Sequence, residues 1–275
     1  AQGLVENVQI LSSNLVQNGD FSEEGVQEVS NGSFTNGSTD WSLGTGWSIG
    51  EDKAVADGTT NNAVASTVMS SVVGKSYKID FTIDDYVTGN IRIYFGGAFT
   101  PFVNANGVYS FYIAATAVDT LATSASGLFN GSITNISVKE VGQNWDLGTG
   151  WGVSNSQLTH DGSTTAATAL QNIGLNGSAG TIYKLTLNVV SATNADLRFY
   201  SPNVGYISQI VNTGDNLTYL LESNGSYQYL TGRNFSLGSA LILDNISVIE
   251  ITDDTSLPRI NYEGFSYDGS GNVVP

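Results

Sequence analysis

Catalysis by side chains needs a proton-transfer pair, a nucleophile beside a base, or a metal, and this chain offers little for any of them. It has one histidine, His160, and no cysteine. His160 lies in Thr159-His-Asp-Gly162, a turn-like stretch whose counterpart in an earlier copy of the same pattern is Ala56, so it reads as a solvated loop residue. The carboxylate pairs Glu23-Glu24, Asp84-Asp85 and Asp253-Asp254 are sequence neighbours. Glycoside hydrolysis instead needs two carboxyls facing each other across a cleft, about 5 to 9.5 Å apart. No nucleophile elbow, phosphate loop or histidine-rich metal motif occurs. The expectation is a protein that is not an enzyme.

The residue types that remain suit binding. Aromatic faces pack on the apolar faces of pyranose rings, which makes Trp41, Trp47, Trp145 and Trp151 candidates for sugar stacking. Each also sits in a Gly-rich turn, where an indole can instead plug the end of a β-structure. Arg92 with Tyr94, and Arg198 with Tyr200, put a guanidinium beside a phenol on one strand face. Such a pair can grip sugar hydroxyls, or the arginine can form a cross-strand ion pair with a residue such as Asp80. Tyr86, Phe99 and Phe102 around Pro101, and Tyr206 with Tyr227 and Tyr229, are further aromatics at turns, placed either for glycan contact or to seal loops. No cofactor is required. Calcium is the one metal the sequence admits, through the hard oxygens of Asp20, Glu23 or Glu24, and Asp244; the alternative is that these acidic loops only keep the surface soluble.

Charge narrows the partners. The formal net charge is −16, with a pI near 4.1. Such a surface repels phosphate backbones and anionic lipid, so neither nucleic acid nor a membrane surface is an expected partner. No apolar run approaches the roughly 20 residues that span a bilayer, which excludes insertion as a helix. Only 12% of residues are charged, and Gly, Ser, Thr and Asn supply most of the polarity, as in extracellular β-sandwiches.

These candidates must be positioned by strands. Asp40-Trp-Ser-Leu-Gly-Thr-Gly-Trp47 returns as Asn144-Trp-Asp-Leu-Gly-Thr-Gly-Trp151, and the repeat continues from Tyr77-Lys78 to Tyr183-Lys184 and from Asn135-Ile-Ser-Val138 to Asn245-Ile-Ser-Val248. The offset drifts from 104 to 110 residues, a domain-sized period. In Tyr77 to Asp84, Tyr77, Ile79, Phe81 and Ile83 share one face, and Tyr183, Leu185, Leu187 and Val189 repeat the alternation. Ile91, Ile93 and Phe95 point inward on the next strand, which leaves Arg92 and Tyr94 outside, and a turn over Asp85 to Gly89 joins the two strands. Arg92 would then face Asp80 or Asp84.

The fold expected is all-β: two tandem antiparallel β-sandwich domains of jelly-roll type with an extended C-terminal tail. Residues 1–14 read as an N-terminal extension, 15–142 as the first sandwich, 143–252 as the second, and 253–275 as a connector. Leu15 to Phe21 and Val29 to Phe34 are two versions of one strand-opening motif, both ahead of the first repeat. The second copy is therefore read as a trimmed sandwich; the alternative is that it borrows an edge from its neighbour.

Together Asn18-Gly-Asp-Phe21, Trp41 to Trp47, Tyr77-Lys-Ile-Asp-Phe81, Ile91-Arg-Ile-Tyr94 and Asn135-Ile-Ser-Val-Lys-Glu140 resemble carbohydrate-binding-module-like, galactose-binding-type sandwiches. This version is similar to the copies strung along bacteriophage virion proteins such as tail or head fibres and spikes. The tail Ser256-Leu-Pro-Arg-Ile-Asn-Tyr262 resembles the junction that leads, in such proteins, into a further lectin-like domain. The resemblance covers nearly all of residues 15 to 262. It implies a jelly roll, a virion surface, contact with other virion proteins, self-association into a homo-oligomer, and recognition of host surface glycans. In related modules the opening-strand region helps to hold a structural calcium ion. The alternative is a pair of carbohydrate-binding modules from a secreted bacterial polysaccharide-degrading enzyme or a cell-surface adhesin.

Overall fold

The computed structural model describes residues 10–59, 61, 63–164, 168–171, 179–193, 195–201, 205–223, 230–234, 240–252, 266–267 and 273–274; every regular element among them is a β-strand. The alternation read from sequence selects the faces. Tyr77, Ile79, Phe81 and Ile83 are buried, as are Tyr183, Leu185, Leu187 and Val189. Because side chains alternate across a strand, a slip of one residue would turn each set out to solvent, so burial fixes the register.

Each copy is an antiparallel β-sandwich, as the all-β expectation requires. In the second copy one sheet runs in the order Trp151–Ser154, Gln157–His160, Leu241–Thr252, Ile182–Ala192, Asn216–Glu222. The other runs Asp146–Leu147, Thr168–Gln171, Leu230–Asn234, Ala195–Ser201, Gly205–Val211. The first copy has the same order, but two long strands, Ser76–Phe95 and Thr120–Val141, fill the middle of both layers and pair along most of their length, which joins its strands into one continuous nine-stranded sheet. The turn expected over Asp85 to Gly89 is therefore a kink within one continuous strand. Asp85 and Gly89 take φ of 53° and 81°, and the partner strand shifts register between Ser126 and Asn130. Arg92 thus lies beyond the kink from Asp80 and Asp84, and the ion pair expected there is not made. Asp80 instead approaches Lys78 at 3.8 Å and Asp84 approaches Lys53 at 3.3 Å.

The boundary expected at residue 15 is corrected by the packing. One core runs from Val29 to Val138; the other contains the second copy and also Val16 and Phe21. The two opening motifs, 13 residues apart, are divided one to each sandwich. Phe34 packs on Trp41 at 5.1 Å, and Phe21 packs on Trp145 at 5.2 Å. Gln27 Oε1 accepts from the amides of Val29 and Val138, while Asn14 Oδ1 accepts from those of Val16 and Val248. Ile136 N donates to Gly32 O at 2.9 Å, and Ile246 N to Gly19 O at 2.8 Å.

Glycine is obligatory at both crossings. A Cβ on Gly32 would fall 1.9 Å from Ile136 O, and one on Gly19 would fall 2.0 Å from Ile246 O. Both are far inside van der Waals contact, so only a residue without a side chain lets the closing strand lie against the opening one.

The second sandwich is therefore complete rather than trimmed, and its opening strand comes from the residues that precede the insert. Ile10–Leu11, expected in an extension, pairs with Ile251 and Thr252, as Glu24–Gln27 pairs with the region Lys139 to Val141. Residues 24–142 form a sandwich inserted into one made of 10–23 and 143–252. The two are nested, not in series. They also touch: Val153 N donates to Ser76 Oγ at 3.2 Å, and Tyr112 packs against the second core. Of the tail, Ser266–Tyr267 pairs with Val273–Val274 as a small antiparallel unit, and residues 253–265 lie outside the described residues.

Candidate functional site

Strand Ser76–Phe95 turns Ile91, Ile93 and Phe95 into the first core, and alternation sends Arg92 and Tyr94 to the outer face. The chain then reverses over Gly96 and Gly97, with φ of 61° and 82°, the signs a type I′ hairpin demands. Ala98–Phe99 runs back, setting Phe99 opposite Tyr94. Thr100 N donates to Ile93 O, and its Oγ1 accepts from Ile93 N, which holds Thr100 inward. Ile91 next bridges to Val103, so Pro101 and Phe102 together oppose Arg92. This extra residue is a bulge, and it keeps Phe102 on the outer face where strict alternation would have turned it in.

The result is a compact polar and aromatic face. The Arg92 guanidinium carbon lies 3.6 Å from the centre of the Phe99 ring and 4.2 Å from that of Phe102. Phe99 is 47% and Phe102 44% exposed. Tyr94 packs on Phe99 at 4.8 Å, and its hydroxyl donates to Asp119 Oδ2 at 2.7 Å. That bond holds the phenol proton, and with burial it raises the Tyr94 pKa. Arg92 Nε reaches Ser124 Oγ at 3.5 Å, across the pair formed by Ser124 and Arg92. Rings, cation, phenol and carboxylate converge within one hairpin and its neighbour.

In the second sandwich the backbone repeats this register, Tyr200 opposite Tyr206 and Arg198 opposite Ser208 and Arg233. The side chains of Arg198, Tyr200 and Tyr206 lie outside the described residues, as do Tyr227 and Tyr229 altogether.

The tryptophans are not part of such a face. Trp41, Trp47, Trp145 and Trp151 are 5%, 8%, 5% and 3% exposed, so no sugar ring can reach an indole face. Trp41 Nε1 donates to Asn31 O and Trp145 Nε1 to Asn18 O, which ties each to its opening motif. Trp47 stacks on Phe129, and Trp151 meets His160 edge-on. Tyr86 is half-buried, packs on Phe129 and donates to Gly89 O, apart from the Arg92 hairpin.

His160 is a second correction. It is 2% exposed at the end of strand Gln157–His160, opposite Trp151, and its Nδ1 accepts from Gly162 N. Its counterpart Ala56 is likewise buried and opposite Trp47. An apolar residue at the equivalent position was the sequence signal for an inward-facing histidine.

The calcium candidates are not gathered into one site. Asp20 and Glu23 line a shallow polar depression with Asn18 and Asn245, whereas Asp244 is not on its wall and accepts from Asn245 N. Asp20 is engaged by the amide and hydroxyl of Ser22. The matching depression on the first sandwich carries Ser33 and Asn36 where the second has Asp20 and Glu23. Among the described residues no three acidic or histidine side chains stand close enough to share a metal.

No protein family matches the chain, and no curated protein matches it in sequence. Among solved structures it is similar to the N-terminal CBM22 tandem domain of Paenibacillus barcinonensis Xyn10C, with a TM-score of 0.29 and 10% identity over 83% of this chain and 99% of that one. It is also similar to the major capsid protein of bacteriophage PM2, with a TM-score of 0.19 and 12% identity over 72% and 94%. Allantoicase gives a TM-score of 0.23 and 8% identity over 85% and 92%. Superpositions this loose carry nothing about ligand or role.

Proposed function

We propose that this chain is a non-catalytic saccharide-binding element of an extracellular assembly, which holds glycans on the Arg92, Tyr94, Phe99 and Phe102 face of its inserted sandwich. The observation that carries this reading is the pair of half-exposed rings bracketing a guanidinium beside a phenol and a carboxylate. Ring faces offer the apolar side of a pyranose a dry surface, and the flanking polar groups can satisfy its hydroxyls. His160, the only histidine, is enclosed behind Trp151 and cannot reach a ligand on this face.

The setting we propose is the surface of a phage virion, in a fibre or spike, bound to other virion proteins and to further copies of itself. The sequence resemblance to repeated virion modules supports it. Ile10 pairs with Thr252, so the chain enters and leaves the sandwich pair at one place, which suits a module mounted on the side of a longer body. Labelling intact virions with an antibody to residues 24–142 tests the setting. Label on the particle supports it; label confined to a secreted polysaccharide-degrading enzyme or adhesin favours that alternative.

Binding is tested on a glycan array with the full chain, followed by Phe99→Ala and Phe102→Ala. Each substitution is expected to weaken binding at least about tenfold, the equivalent of about 1.4 kcal/mol. Unchanged affinity in both would remove this face from recognition.

A further inference from the structure

We infer that the glycan held on this face carries a carboxylate or sulfate group and that Arg92 reads it, an inference that rests on the saccharide-binding reading above. The inserted sandwich has five cations, Lys53, Lys75, Lys78, Lys139 and Arg92. All four lysines have a carboxylate within 4 Å: Asp84 and Asp85 for Lys53, Glu140 for Lys75, Glu24 for both Lys78 and Lys139. Among the described residues Arg92 has none, in a chain with 25 acidic residues against 9 basic ones. Its one hydrogen bond among the described residues is the long contact from Nε to Ser124 Oγ at 3.5 Å. The carboxylate on this face, Asp119, is taken by the Tyr94 hydroxyl at 2.7 Å.

What holds Arg92 is stacking. Two rings at 3.6 and 4.2 Å fix the guanidinium without using its terminal nitrogens. A planar fork held in place, with its Nη groups unclaimed by any described residue, matches two oxygens of a carboxylate or sulfate. Fixing the fork before binding lowers the entropy lost when the anion arrives. The net charge of −16 opposes a dense polyanion, so the fit is to a short saccharide with isolated acidic groups.

The test is calorimetric titration of the full chain with three probes: trigalacturonic acid, its carboxyl-reduced neutral analogue, and a monosulfated neutral trisaccharide. The expected result is that at least one acidic probe binds about tenfold or more tighter than the neutral analogue, and whichever does identifies the anion source. Arg92→Gln should weaken the favoured acidic probe more than the neutral analogue, so that the preference disappears and the two bind within about threefold of each other. Arg92→Lys, which keeps the charge but not the flat stacked fork, should cut the preference at least about threefold, and it covers the case in which Arg92→Gln fails to fold. Equal binding of acidic and neutral probes would overturn the charge inference and leave the saccharide reading standing. Binding of none of the three, alongside neutral hits on the array that depend on Phe99 and Phe102, would do the same. An array with no hits would overturn the saccharide reading itself.

Discussion

Phe21 stands three residues before the first strand of the inserted sandwich, yet its ring belongs to the other one, and Phe21→Ala separates these two facts. The ring is 1% exposed and lies 5.2 Å from Trp145. Truncating a buried phenylalanine to alanine costs about 3–5 kcal/mol, of which the ring pair contributes about 0.5–1.5. Against a domain stability of about 5–15 kcal/mol that is a large share. At about 1.4 kcal/mol per decade, amide protection should fall by roughly two to three and a half powers of ten wherever protection depends on the second core. Native-state hydrogen exchange, read peptide by peptide, distinguishes the outcomes. Phe21→Ala is expected to speed exchange in Ile182–Ala192 and Leu241–Thr252 and to leave Ser76–Phe95 unchanged; Phe34→Ala should do the reverse. Loss of protection in Ser76–Phe95 on Phe21→Ala, with Leu241–Thr252 untouched, would refute the nested assignment.

Two smaller perturbations follow from the same contacts. Gly19→Ala places a methyl 2.0 Å from Ile246 O and should cost about 1–3 kcal/mol in thermal melts, whereas Gly50→Ala, whose Cβ would meet only Val55 Cγ2 at 3.9 Å, should cost under about 1 kcal/mol. Burial, reinforced by the charge of Glu140, raises the Glu28 pKa, so the folded state holds this proton more tightly than the unfolded one. Stability from this group is therefore lost as pH climbs from the unfolded pKa through the raised folded one. Glu28→Gln should stabilise at pH 7, by under about 1 kcal/mol after solvent screening, and the gain should vanish below about pH 4. Glu24 has the opposite sign. Hydrogen bonds from Lys139 and Lys78 lower its pKa, so its contribution is present at neutral pH and lost as pH falls through the lowered value.

The strands were legible because burial writes a period of two. Tyr77 to Ile83 and Tyr183 to Val189 needed no more than alternation to be placed, and the outward position of Arg92 and Tyr94 followed. Pairing was not legible in the same way. Asn18-Gly-Asp-Phe21 and Asn31-Gly-Ser-Phe34 have nearly the same local chemistry, and which closing strand each meets depends on contacts more than 100 residues away. The fate of the tryptophans turned on those contacts too, since Trp145 finds its acceptor at Asn18 only when the start of the chain folds back. The ring clamp on Arg92 depended on one extra residue at Pro101 and Phe102, a bulge that periodicity cannot announce. His160 was misplaced because a polar residue beside Asp-Gly reads as loop, although the aligned Ala56 pointed inward.

The nesting bears on how the polypeptide assembles. Joining residues 23 and 143 through an open chain of about 120 residues would cost about 4 kcal/mol in closure entropy. Glu24 lies across from Val141 once residues 24–142 have folded, so the finished insert delivers both halves of its host side by side. Synthesis releases the insert first, and only the emergence of Leu241–Thr252 supplies the strand that Ile10–Leu11 awaits. Residues 10–23, made before the insert, thus find their place only after it has folded, and the insert acts as the clasp that keeps them within reach.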